Sequence, residues 1–501
     1  MLVFLGFAMI AVFMALIMTK KLTPVLALII VPTIFGLFAG AGLGLGDMVL
    51  ESMKSLTSTA ALLMFAIIFF GLMIDVGLFD PLVRFILRTL GNDPAKVVLG
   101  TAVLAAVVSL DGDGSTTFIL TTAAMLPIYL RLGMSPVVLT CVAGLANGTM
   151  NIVPWGGPTA RAAAALDVSP TDVFVPMIPS LLAGMIIVMV FAWTLGLSER
   201  KRLAGGNPKA TAKGKPDLWA EAAENNDGGA GTARGNAGSV FGGGRGAGTR
   251  KPVPGTSPAG TAPAGGSVAV LDAPAEEEAA GGSLTDSALD PNRSTLRPKL
   301  FWFNLALTVA VMVILVLDIV PLAYVFMVGA AIALVVNFPN VKEQATQLVA
   351  HGKSIVAVVS MVMAAGVLTG VLNGTGMVDA MAAWLVDIIP DSMGPFMAVI
   401  TGLLSIPMTF FMSNDAFYFG VLPVLSETAA HFGIAPAEMA RASITGQPVH
   451  MQSPLVPAIL LLVSLASVEL GDHHKKVLWR AAIVSLVMLA VGILLGAIPW
   501  G

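Results

Sequence analysis

The chain has 501 residues, 56% of them hydrophobic and 11% charged, about half the charged share of an ordinary soluble domain. That balance excludes a soluble globular protein and points to an integral membrane protein. The net charge of -3 with no basic, aromatic-interleaved stripe excludes nucleic acid as a partner, and the single cysteine, Cys141, excludes an internal disulfide and a Cys/His metal centre.

In chain order, residues 2–18 open with an apolar run whose positive charges, Lys20 and Lys21, come after it. A signal peptide carries them in front, so this run reads as a retained span with its N-terminus outside. Further runs near the length of a span lie at 23–44, 59–77, 137–166 and 173–196, and then at 300–317, 319–336, 354–373, 437–468 and 477–499. Two other apolar regions, 95–131 and 394–432, are interrupted at their middles by small and polar residues. Residues 198–298 are rich in Gly, Ala, Pro and Ser. Such a stretch cannot offset its ordering entropy by burial, so it reads as a disordered tether.

The halves resemble each other. Gly71, Gly77 and Asp80 recur in step as Gly370, Gly376 and Asp379; Pro136 and Pro154 recur as Pro436 and Pro454. Duplication follows. Arg84, Arg88, Lys96, Arg200, Lys201, Lys342, Lys353, Lys475 and Lys476 all fall on one side of a topology in which 95–131 and 394–432 enter and leave on the same face. Asp47, Glu51, Asp167, Asp172 and Asp379 fall on the other, with Lys54 and Arg441 as exceptions. By the positive-inside rule the first set is cytoplasmic. The expected fold class is therefore an all-α polytopic membrane protein of two inverted five-span repeats, 1–197 and 299–501, joined by a cytoplasmic linker, with both termini outside. Each repeat holds a re-entrant hairpin (inner 95–131, outer 394–432) and a broken helix (137–166, 437–468).

Polar groups at membrane depth are costly unless they line a cavity or pair. Four clusters break the apolar rule. The first hairpin tip runs Ser109-Leu110-Asp111-Gly112-Asp113-Gly114-Ser115-Thr116-Thr117; its aspartates can hold a cation or carry protons, and a helix opening at Thr116 would turn its positive end to an anion. The second tip is Ser413-Asn414-Asp415. The first break, from Asn147, Gly148, Thr149 and Asn151 through Pro154 to Thr159, cannot continue a regular helix. Its counterpart runs from Gln447 through His450 and Gln452 to Pro454. Two tips and two breaks are the arrangement expected around a substrate site between inverted repeats. Arg161, two turns past the first break, either pairs a substrate carboxylate or snorkels outward near Asp167. His450 is either a proton relay or a strut. His351, His431, His473 and His474 fall in predicted loops and receive no role. Cys141 reads as a small apolar helix residue.

At these four clusters the chain resembles the metal-citrate:proton symporter family (the CitMHS group) of the ion transporter superfamily. The resemblance spans both apolar halves. It implies a homodimer with an elevator-like motion in the cell membrane, no permanently bound cofactor, and a divalent metal (Ca, Mg or Fe) carried with citrate. Sodium symporters of the superfamily carry Ser-Asn-Thr at both tips. Here Asp111 to Thr116 and Ser413-Asn414-Asp415 replace them, which favours protons over sodium. On that reading Asp111, Asp113, Asp415 and His450 bind the metal side or carry protons. Ser115, Thr116, Asn147, Gly148, Thr149, Asn151, Ser413, Asn414, Gln447 and Gln452 surround the substrate, and Arg161 pairs a carboxylate.

The nearest rival is a proton- or sodium-coupled carrier of free di- or tricarboxylates or another organic anion. An intramembrane aspartyl protease needs Gly-x-Gly-Asp, and the chain reads Ser109-Leu110-Asp111-Gly112-Asp113. A serine intramembrane protease needs Gly-x-Ser-Gly, which Ser115 does not provide. A channel suits inverted repeats with paired tips less well than alternating access does.

Overall fold

The computed structural model describes residues 1–19, 21–89, 91–112, 114–204, 293–317, 319–390 and 392–501. The described residues contain helices and no strand. The first half runs α1 (Leu2–Met18), α2 (Pro24–Phe38), α3 (Leu45–Asp75), α4 (Asp80–Thr89), α5 (Pro94–Val108), α6 (Gly114–Arg131), α7 (Pro136–Met150), α8 (Gly157–Leu166), α9 (Pro170–Phe174) and α10 (Ile178–Ala204). The second runs α11 (Phe301–Leu317), α12 (Leu322–Asn337), α13 (Val341–Ala350), α14 (Gly352–Gly374), α15 (Met377–Ile388) and α16 (Met397–Phe411). A π-helical segment, Ala416–Val421, follows, and then α17 (Leu422–Ala430), α18 (Pro436–Ser443), α19 (Gln447–His450), α20 (Pro457–Leu465) and α21 (Leu470–Leu494).

Among the described residues, seven helices are long and apolar enough to cross a membrane, and five shorter apolar ones accompany them. Apolar side chains such as Leu182, Ile186, Val190 and Trp193 of α10 face outward, as a chain solvated by lipid requires. The chain is a multi-pass membrane protein.

The two halves share several turns in their backbones. Gly77 and Gly376, the middle members of the recurring motif, both take left-handed φ, +83° and +71°. Each ends a long helix, α3 or α14, where a left-handed residue satisfies the last carbonyls and glycine carries no Cβ strain. Beyond each broken helix stands a left-handed residue that is not glycine, Asp167 at φ 52° and Ser467 at φ 51°. Packing is reciprocal too: α2 lies on α14 and α12 on α3, while α8 packs on the π segment and α20 on α6.

Two boundaries differ from the sequence reading. Helix α3 begins at Leu45, well before the expected 59, and carries Asp47, Glu51 and Lys54 on its first turns. Hydropathy marks membrane depth, whereas hydrogen bonding continues the helix beyond it. The linker is also shorter at both ends than 198–298. Helix α10 runs on to Ala204, and Arg293 is buried against the end of α3, its Nε donating to the Asp75 carbonyl at 2.9 Å. A cation there complements the helix's negative end. Residues 205–292 of the expected linker lie outside the described residues, as do Asp113 and Lys20.

On the face read as cytoplasmic, α10 clasps two helix starts. Arg200 pairs with Asp93, whose side chain caps α5, and the buried carboxylate of Glu199 accepts the Ser135 N–H at 3.0 Å just ahead of α7. An aromatic cluster of Phe69, Phe70, Phe326 and Trp155, with Trp155 5.0 Å from Phe70 and 5.1 Å from Phe326, ties α3 and α12 to the first break.

Candidate functional site

Each tip is made by a helix that cannot continue. Helix α5 tightens into a 3₁₀ turn, Ser109–Asp111, and then Gly112 turns left-handed at φ +80°. A Cβ at Gly112 would stand 3.1 Å from the Trp155 ring, and Trp155 Nε1 donates to the Leu110 carbonyl at 2.8 Å. The tip is thereby fixed to the first break. Helix α6 opens at Gly114, two residues ahead of the expected Thr116, with Ser115 and the buried Thr116 in its first turn. In the second tip, Ser413 Oγ accepts the Ala416 N–H at 3.2 Å, an ordinary helix-start cap.

The breaks follow from proline. Helix α7 ends at Met150 and α8 restarts at Gly157-Pro158; α19 ends at His450 and α20 restarts at Pro457. The interrupted segments meet closely. A Cβ on Gly148 would stand 3.0 Å from Pro448 Cα, so only glycine lets the two backbones approach this far. Gly114 of the first tip lies against Asn147, Met451 and Ala458, that is, against both breaks at once.

Asn147 and Gln447 hold matching places in the two halves, and each donates its side-chain amide to its own tip. Asn147 Nδ2 donates to Ser109 Oγ at 3.0 Å, leaving the buried Oδ1 without a hydrogen-bond partner among the described residues. Gln447 Nε2 donates to Asn414 Oδ1 at 3.2 Å and to Tyr418 Oη at 2.8 Å. Asn151 Nδ2 donates to Gln447 Oε1 at 3.3 Å and links the breaks. Asn147 and Asn151 are one helical turn apart, so both tips and both breaks share one polar focus.

Arg161 meets Asp415, a residue that the sequence reading did not name as its neighbour. Its Nε is 2.6 Å from Asp415 Oδ1, across the halves, with side chains 25% and 10% exposed. Helical side chains lean toward their own N-terminus. A Cβ on Gly157 would lie 2.5 Å from the guanidinium, so Arg161 leans back over the break, while Asp167 caps the far end of α8. The outward snorkel is thus replaced by an inward ion pair.

Thr149 and Gln452, expected near the substrate, and His450, expected at the metal or proton side, each hold a hydrogen bond within the protein. Thr149 donates back to the Leu145 carbonyl at 2.8 Å and is fully buried. His450 Nδ1 lies 2.5 Å from the Thr409 carbonyl, a bond that braces the second break against α16. Gln452 is fully buried, and its Nε2 donates to the carbonyls of Gly144 and Pro448, each at 3.0 Å. It staples the two breaks together.

The sequence reading also passed over His473, His474 and His351. His473 is fully buried, with Nε2 3.1 Å from Gln452 Oε1 and Nδ1 3.1 Å from Thr140 Oγ1. Since Gln452 Nε2 is the donor to both carbonyls, Oε1 is the acceptor and His473 Nε2 carries the proton. His474 Nε2 reaches the Gln452 carbonyl at 2.7 Å. His351 is buried beside Asp75 at 3.1 Å, with Gly71 making room for its ring. Only the recurrence of Gly71 as Gly370 hinted at a close approach there. Among the described residues no group of three or more His, Cys, Asp or Glu side chains could hold a metal.

The profile of the citrate transporter family (CitMHS) matches residues 2–446. A citrate transporter of Bacillus subtilis (strain 168) is 44% identical over 501 residues, covering 100% of both chains. A Mg(2+)/citrate complex secondary transporter of the same organism is 43% identical over 499 residues, covering 99% of each. The crystal structure of the Alcanivorax borkumensis YdaH transporter, reported to have an unusual topology, aligns with a TM-score of 0.51 at 16% identity over 90% of this chain and 88% of that one. At that identity the likeness speaks for the fold alone. By the family match across most of its length, and by its likeness to transporters along all of it, the chain is a transporter and not an enzyme, and it belongs to the citrate transporter family.

Proposed function

We propose that the protein is a secondary transporter that takes up citrate complexed with a divalent metal, driven by protons. The supporting observation is the full-length similarity to a Mg(2+)/citrate complex secondary transporter, joined to a polar focus in which both tips and both breaks meet. Fully ionised citrate is trivalent, so its complex with one divalent cation keeps one negative charge. In this proposal the metal is cargo, carried with citrate. Asp111 faces the cation side of the cargo. The amides of Asn147, Asn151 and Gln447, with Ser115, Thr116 and Asn414, address the carboxylates and hydroxyl. The start of α6 adds a positive dipole end.

In the same proposal the two halves are inverted repeats, 95–131 and 394–432 are re-entrant, the termini face outward, and two copies associate and move their transport parts as elevators. Uptake of labelled citrate into proteoliposomes tests the function, with and without Mg²⁺, Ca²⁺ or Fe²⁺ and under an imposed proton gradient. Uptake needing both metal and gradient is expected. Uptake of free citrate or succinate that metal blocks, or that sodium drives, would move the protein to a carrier of free carboxylates.

A further inference from the structure

Helix α21 is longer than the layer it crosses. Its 25 residues rise about 37 Å, against roughly 30 Å of hydrocarbon, so its polar opening, Asp472 to Lys476, reaches into the headgroup region. From Val477 to Leu494 the helix carries one charged residue, Arg480. The half-buried side chain leans back toward the helix start. Its Nη1 donates to the Lys476 carbonyl, which also takes the Cys141 thiol. Its Cζ lies 4.1 Å from the centre of the Trp479 ring and 5.7 Å from that of Phe191 on α10. These contacts fix the guanidinium without neutralising it. Among the described residues no carboxylate lies within 4 Å of Arg480, the ionisable group acting on it across space is the buried thiol of Cys141, and its buried Nε has no hydrogen-bond partner. Lys476, one turn nearer the start, also joins no ion pair among the described residues, whereas Lys475 pairs with Asp472 at 3.2 Å. An arginine held in this way at the edge of hydrocarbon calls for an anion.

We infer that Arg480 and Lys476 hold the phosphate of an anionic phospholipid, with its acyl chains lying along the outward face of α21. That face turns apolar at the level of Arg480: Trp479, Ile483 and Leu486, 49%, 38% and 45% exposed, follow one another at helical spacing. A cationic pair above an apolar strip matches an amphiphile, whereas a soluble anion would leave the strip without a partner. The planar guanidinium meets two phosphate oxygens at once, and the lysine adds a second positive charge. Two cations with no acid beside them favour a headgroup of net negative charge and repel the ammonium of a zwitterionic one. Helix α10 holds the matching place in the first half and carries no charge from Ile178 to Ser198, so the cationic pair belongs to one leaflet only. That this leaflet is the inner one comes from the proposed topology; the binding itself depends on no statement about the cargo. The headgroup braces the opening of α21, where His473 holds Gln452 and so the staple between the two breaks.

The test is native mass spectrometry of the purified, delipidated full-length protein in a non-ionic detergent, titrated with phosphatidylglycerol, phosphatidylcholine or inorganic phosphate. Citrate and metal are left out, so that failure here leaves the proposed cargo untouched. The unaltered protein is expected to hold phosphatidylglycerol in preference to phosphatidylcholine and to melt at a higher temperature with it, since a ligand of the folded state stabilises that state. Arg480→Gln is expected to weaken phosphatidylglycerol binding about tenfold or more and to lose the rise in melting temperature. Lys476→Gln is expected to weaken it about fivefold. Lys342→Gln, which removes an exposed cation elsewhere on the face read as cytoplasmic, should bind as the unaltered protein does. Equal binding of the two lipids, or equal phosphatidylglycerol affinity in Arg480→Gln and the unaltered protein, would overturn the lipid site. Displacement of the lipid by inorganic phosphate would make it a site for soluble anions instead. A lipid-free dimer that Arg480→Gln dissociates would give this face to a second copy of the chain and likewise overturn the proposal. If Arg480→Gln does not fold, Arg480→Lys serves in its place: it keeps the charge and loses the fork, and an unmoved affinity counts against the site.

Discussion

At the scale of single residues, the least replaceable groups are not the ones proposed to face the cargo. Gln452 supplies both donors that join the Gly144 and Pro448 carbonyls, and His473 holds its remaining oxygen. Gln452→Ala removes partners from buried carbonyls at about 1–3 kcal/mol each, and it empties the space beside Gly144. It is expected to lower the melting temperature in detergent sharply. His473→Ala should cost less, and His473→Gln should recover part of the loss, because an amide N–H can still donate to Gln452 Oε1. Equal melting for the alanine and glutamine variants would show that volume rather than the hydrogen bond matters. Gly148 makes a second prediction. Gly148→Ala presses a methyl onto the Pro448 backbone, an overpacking of about 1–3 kcal/mol that separates the breaks. Transport is expected to fall at least tenfold even where protein reaches the membrane. Gly44→Ala is the control, since nothing lies within 4 Å of its added Cβ, and it should match the unaltered protein in uptake.

At the scale of elements, the paired turns carry the duplication. Gly376 has φ +71° with open space around its Cβ position, whereas Gly77 has φ +83° and would also strike Leu296. Gly376→Ala therefore pays only the left-handed backbone cost, about 1 kcal/mol, and Gly376→Asn less. Gly77→Ala adds the collision and should melt lower than Gly376→Ala. Identical losses at the two sites, measured by melting in detergent, would count against this reading of the turns. The glycines themselves were legible because a left-handed cap has one preferred residue type. The tips and breaks were legible because glycine, proline and polar residues stand out inside apolar runs. The partners across them were not. Whether Arg161 leans to Asp167 or Asp415 depends on which helix end its side chain points to, and on a tip 254 positions away. His473 sits three residues past the first residue of α21, near Lys475 and Lys476, and reads as a loop because the partners that hold it lie on α7 and the second break.

At the scale of the molecule, the proposed cycle depends on orientation. If the halves are inverted, the tips enter from opposite faces and the site can open to each side in turn; if they are parallel, it cannot. The sequence offers an unusually clean test, for Cys141 is the only cysteine and is buried. A Cys141→Ala background should label with no thiol reagent, and a buried small residue of this size costs little to replace. Single cysteines are then placed at Leu43, which is fully exposed between α2 and α3, and at Lys342 and Lys475, exposed at the starts of α13 and α21. In intact cells a membrane-impermeant maleimide is expected to label Leu43→Cys and to leave Lys342→Cys and Lys475→Cys untouched until the membrane is permeabilised. The charge bias makes this the expected result, because the lysines stand at positions read as cytoplasmic and Asp47 and Glu51 follow Leu43 on the other side. Labelling of Leu43→Cys and Lys342→Cys from the same side would remove the inversion. Without it, the opposed tips could not work as an alternating-access device.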